Sequence, residues 1–116
     1  MHKSTITIDV HLEDDKVPNH ITWNATDSTA ENAQQAKAML VSFWDGREKT
    51  ALKLDLWTKE MMVDEMVDFY YQTLVTMAET FQRATQQKEL SDDIKTFAKT
   101  FYEKFRDSQL QTNKLV

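Results

Sequence analysis

Between Leu52 and Met66, in the run LKLDLWTKEMMVDEM, the hydrophobic period of this chain changes once and does not change back. Leu52, Leu54 and Leu56 alternate with Lys53, Asp55 and Trp57, the two-residue period of a strand with one apolar face. Beyond Thr58, Met62, Met66 and Phe69 recur at four and three, as do Val63, Val67 and Tyr70, which is the spacing of a helical face. A segment patterned for one period scatters its apolar residues over all sides in the other. The chain is therefore divided into a strand half and a helix half.

In the strand half, Ile6, Ile8, Val10 and Leu12 alternate with Thr5, Thr7, Asp9 and His11. EDDK (13–16) is a polar connection, and VPNHITWNA (17–25) returns with Ile21 and Trp23 on one face. Pro18, which cannot donate to a ladder, suits the start of a strand. The stretch 26–35 has no apolar period and reads as a connection. AKAMLVSFWD (36–45) and TALKLDLWT (50–58) flank GREK, a four-residue hairpin loop. An even loop pairs residues whose numbers sum to an odd value. Met39, Val41 and Phe43 are then expected on one face with Leu52, Leu54 and Leu56, and Leu40, Trp44 and Trp57 on the other with Lys53 and Asp55.

In the helix half, Thr58 is the expected N-cap of a long helix whose stripe runs Val63, Val67, Tyr70, Leu74, Met77, Phe81, Ala84, with acidic residues in its first turns. Ser91, followed by Asp92 and Asp93, is the expected N-cap of a second helix with the stripe Ile94, Phe97, Ala98, Phe101, Phe105. Strands followed by helices indicate an α+β domain. The expectation is one domain over 1–116: a four-stranded antiparallel sheet at about 4–58, then a long helix at about 60–87 and a shorter one at about 91–108, packed on one face of the sheet.

Composition narrows the function classes. The net charge is −5, with 14 basic and 19 acidic residues, so the dense basic face of a nucleic-acid binder is not expected. One glycine cannot build a phosphate cradle, which needs several. Without cysteine there is neither a disulfide framework nor a thiolate metal site. The start, MHKSTITIDV, carries no apolar signal segment, and no run approaches 18 apolar residues, so membrane insertion is not expected and the expected compartment is the cytoplasm.

Catalytic patterns are equally sparse. His11 and His20 approach each other if the first two strands form a hairpin, with Asp9 or Asp14 as added oxygen, but exposed strand histidines are the simpler reading. Asp64, Glu65 and Asp68 sit where a helix dipole favours negative charge, which explains them without acid–base chemistry. No nucleophile elbow is present. The chain is not expected to be an enzyme or to hold a cofactor.

The residues that point outward are apolar. Trp44, Trp57 and Leu40 share the sheet face that carries Lys53 and Asp55, and tryptophan is enriched among binding hot spots. The competing reading has Trp57 sealing the core against the helix end. Met61 and Met62, at the helix start, have the adaptable thioethers of a contact surface. These five residues are the interface candidates.

The run LDLWTKEMMVDEMVDFYYQTLVTMAETFQRAT (54–85) resembles the gliding-motility-associated GldC family of Bacteroidetes, whose corresponding stretch reads IDLWTKDM, VDEM, an aromatic pair and QTLVSMADTFERAT. Ile21 to Asp27 is similar to that family's IxWxATD, and Lys37 to Asp45 to its KAxxLxxWD. The resemblance implies a link to surface gliding and the associated type IX secretion system, with no enzymatic activity, cofactor or catalytic motif to carry over. The layout of four strands and two helices in an acidic chain is also similar to that of the SecB export chaperones, an analogy of fold alone. The expected function is a cytoplasmic accessory or adaptor protein acting through contacts with gliding or secretion machinery proteins and with copies of itself. The alternative is a SecB-like holdase for unfolded clients.

Overall fold

The computed structural model describes residues 2–29 and 32–114. The chain forms two compact units, Met1–Met61 and Met62–Val116. Among the described residues the first holds five strands: β1 (Ile6–Leu12), β2 (Pro18–Ala25), β3 (Gln34–Ala36), β4 (Ala38–Asp45) and β5 (Thr50–Trp57). The second holds α1 (Val63–Thr85) and α2 (Lys88–Lys114). The α+β class expected from the pattern is the one observed, but the single four-stranded sheet is not. Two small antiparallel sheets replace it, one ordered β1-β2-β3 and the other β4-β5.

Lys37 is the reason. The segment 34–45 pairs with β2 as far as Ala36, opposite Ile21, and from Ala38 onward pairs with β5, opposite Trp57. The chain changes partner across one residue. Thr58 fixes this break: its N–H and its Oγ1 both donate to the Lys37 carbonyl, at 2.7 and 2.9 Å, and it is buried. The sequence pattern does not reveal β3, because Gln34-Gln35-Ala36 has neither alternation nor strand propensity. Among the described residues β2 is its one pairing partner, and that pairing gives it its strand conformation.

The two hairpins follow their turn chemistry. In the first, Lys16 adopts φ 64° and donates its N–H to the Glu13 carbonyl, and Asp15 Oδ1 accepts from Val17 N–H at 3.0 Å. A register irregularity between His11 and Leu12 absorbs the extra residue. In the second, Asp45 Oδ1 accepts from Arg47 and Glu48 N–H, and Lys49 at φ 56° closes the loop onto the Asp45 carbonyl. The odd-sum register is observed, with Met39 opposite Leu56, Val41 opposite Leu54 and Phe43 opposite Leu52.

Both expected helix caps move. Thr58 is occupied at Lys37, and α1 starts at Val63 with Met62 as an extended N-cap whose N–H is met by Glu65 Oε1 at 3.2 Å. The first helix ends when Gln86 enters the left-handed region at φ 62°. With only Gln86 and Gln87 between them, α1 and α2 form a hairpin; α2 begins three residues ahead of Ser91 and, at 27 residues against 23 for α1, is the longer helix and not the shorter one expected. Ser91 is therefore a seam residue. It is fully buried with Ala78, whose carbonyl accepts its Oγ–H at 2.7 Å, and Ala98 is fully buried as well. Small side chains there let the two helices approach closely. At the other end the Tyr71 and Tyr102 rings lie 5.1 Å apart, so the pair runs antiparallel. The remaining stripe is wider than one helix can cover, and Val63, Tyr70, Met77 and Phe97 stay exposed.

Candidate interaction surface

The β4–β5 sheet has an apolar face and a mixed face, and both present large side chains. On the mixed face, Trp44 sits opposite Ala51 and Trp57 opposite Ala38, at 68% and 60% exposure. The pair brackets Leu40, which is half-buried opposite Asp55, and Ser42, opposite Lys53. Positions 38 and 44 are six residue steps apart along β4, so the two indoles stand roughly 20 Å apart. Leu40 and Trp57 are diagonal neighbours, whereas Trp44 stands alone at the loop end. Lys53 Nζ lies 3.3 Å from Asp55 on the same face, so the surface between the indoles is polar.

Trp57 also walls a recess of about 330 Å³ with Val17, Pro18 and Leu56, rimmed by Lys16 and Asp55. Apolar walls with one charge of each sign at the mouth suit an apolar side chain flanked by polar backbone. Nothing local in the sequence marks Val17 and Pro18 for this role. They line it because the start of β2 lies beside the end of β5.

The apolar face is the more continuous one. Met39 is buried and Val41 and Leu56 are half-buried, but Phe43, Leu52 and Leu54 are largely exposed, Phe43 at 66%. Of the two methionine candidates, Met61 is half-buried and donates its N–H to the Thr58 carbonyl, while Met62 is exposed at the start of α1.

Electrostatics organise the first turn. Lys59 Nζ pairs with Glu13 and lies 3.6 Å from Asp15. The Val17 N–H, and then Lys59, hold the Asp15 carboxyl below its ordinary range, and the bond to Glu13 raises the Lys59 ammonium above its own. His11 and His20 are cross-strand partners with rings stacked 4.0 Å apart. Among the described residues no group of three or more His, Asp or Glu side chains is placed to hold a metal ion. No helix formed by the described residues is long and apolar enough to cross a membrane.

A family model described as gliding motility-associated protein GldC-like matches residues 18–107, from the start of β2 into α2. No curated protein and no solved structure matches the chain.

Proposed function

The chain belongs to the GldC-like family of gliding motility-associated proteins, and from that premise we propose that it is a non-enzymatic adaptor. It acts in the cytoplasm, without a cofactor, by binding other proteins of the gliding or secretion machinery, and it self-associates. The observation that carries the reading is the exposed Trp57, which walls the Val17–Pro18–Leu56 recess. An indole over an apolar recess with a charged rim has the anatomy of a binding hot spot, where truncation costs about 2 kcal/mol or more.

The test isolates the tagged chain from crosslinked native cells beside a Trp57→Ala variant and a Trp44→Ala variant. The adaptor reading expects a small set of gliding or secretion components, lost with Trp57→Ala and less affected by Trp44→Ala. Partners retained by both variants would refute this surface, and recovery of no partner would refute the adaptor.

A second reading, a SecB-like holdase, draws on the continuous apolar face of Phe43, Leu52 and Leu54. It requires broad binding of unfolded chains and suppression of their aggregation. A client-free result in a standard aggregation assay eliminates it.

A further inference from the structure

The outer edge of β1 carries a self-complementary pattern. This strand stands at the end of the β1-β2-β3 sheet, with β2 its one neighbour among the described residues. The Thr26 N–H donates to the Thr5 carbonyl at 3.0 Å, so the backbone groups of Thr5 point toward β2. In an antiparallel ladder this orientation alternates from residue to residue. Thr7, Asp9 and His11 therefore face β2, and Ile6, Ile8 and Val10 turn their N–H and C=O groups outward. The other side of β2 agrees: Ile21 and Trp23, opposite Val10 and Ile8, carry the ladder on to Ala36 and Gln34 of β3. Ile6 is 71% exposed, and no lysine, proline or bulge protects the strand before His11. β5, by contrast, carries Lys53 at its centre, one of the usual guards of an edge.

We propose that β1 pairs antiparallel with β1 of a second copy, with Ile8 on the two-fold axis. In this register Ile8 faces Ile8 of the copy and Ile6 faces Val10. All six outward groups of each strand are then satisfied, and the apolar residues meet on one face. On the other face Thr7 lies opposite Asp9 and Thr5 opposite His11, so no like charges meet. Centring on Asp9 sets two carboxylates against each other, which is unfavourable. Centring on Val10 draws in Leu12, beyond the irregularity after His11. Centring on Thr7 leaves Val10 opposite Ser4, outside the strand. Two three-stranded sheets thereby join into one of six strands, and an exposed edge is removed from each chain. The inference gives the self-association in the adaptor reading a surface, and it stands whichever gliding component is captured.

The experiment uses the full chain, which contains no cysteine and so gives an unambiguous background. Ile8→Cys, Asp9→Cys, Ile6→Cys and Val10→Cys are each treated with a mild oxidant and run on a non-reducing gel. Facing residues of a ladder stand about 5.5 Å apart, within disulfide reach. Ile8→Cys is expected to convert to a covalent dimer. Ile6→Cys and Val10→Cys, each about 13 Å from its own copy, are expected not to. The Ile6→Cys, Val10→Cys double variant is expected to crosslink. In parallel, light scattering on the unmodified chain is expected to give the mass of two chains or a multiple of it, with the dimer lost in Ile8→Lys while far-UV circular dichroism is retained. Crosslinking at Asp9→Cys with none at Ile8→Cys overturns the register. A dimer that crosslinks at none of these positions overturns edge pairing but leaves self-association standing. A monomer at high micromolar concentration overturns both.

Discussion

Ser91→Ala deletes one hydroxyl from the seam between α1 and α2. The Oγ–H bond to the Ala78 carbonyl is 2.7 Å long and lies where water does not reach. A hydrogen bond of this kind is worth about 0.5–1.5 kcal/mol net. The carbonyl keeps its helical partner one turn on, so no acceptor is orphaned and the loss falls in the lower part of that range. Alanine also has the better helix propensity, which returns a few tenths of a kcal/mol. The expected net destabilisation is about 0.2–0.7 kcal/mol, or roughly 0.2 M in urea midpoint at a slope near 2 kcal/mol per M.

Ser91→Val isolates the other contribution. It loses the same bond and forces added methyl groups into the buried seam against Ala78, where overpacking costs about 1–3 kcal/mol more. Urea titrations followed by far-UV circular dichroism read the helices. Fluorescence reads Met1–Met61, because Trp23, Trp44 and Trp57 are the three tryptophans of the chain. If the two units unfold together, both probes shift equally; if they unfold separately, only the dichroism moves. A valine variant as stable as the alanine variant would refute the closed small-residue seam.

The other predictions concern turns and pairings. Thr58→Val keeps the shape but removes the Oγ1 bond to Lys37, and about 1 kcal/mol of stability is expected to go, seen as a lower midpoint by tryptophan fluorescence. Lys49→Gly relieves a left-handed residue in the β4–β5 loop, where the gain of about 1–2 kcal/mol is partly offset by the added freedom of the unfolded chain; a thermal melt is expected to rise or hold, and a fall would show that Lys49 is unstrained. The lowered Asp15 pKa contributes stability that is present above the unfolded value near 3.9 and lost as pH falls through the folded one. The raised Lys59 pKa contributes stability present below the ordinary lysine value and lost as pH rises through its own. Asp15→Asn is accordingly expected to flatten the acid limb of a stability–pH curve, and an unchanged limb would place that dependence elsewhere.

Period and turn chemistry, both readable within a few residues, account for the local features of the fold. The division at Thr58 into a strand half and a helix half, the GREK hairpin and its odd-sum register, Pro18 at the head of β2 and two amphipathic helices all follow from local pattern. Of the interface candidates, Trp44, Trp57 and Met62 are exposed, and Leu40 and Met61 are half-buried. What the pattern could not carry is which residues meet across the chain. A polar triplet became β3 because β2 was there to pair with it, and the expected sheet became two because the strand changed partner at Lys37. Thr58 and Ser91, each a good cap by composition, were each drawn instead to a carbonyl, 21 and 13 residues away in sequence. A hydroxyl takes the acceptor that burial offers it, and which acceptor is buried beside it is settled only once the tertiary structure has formed.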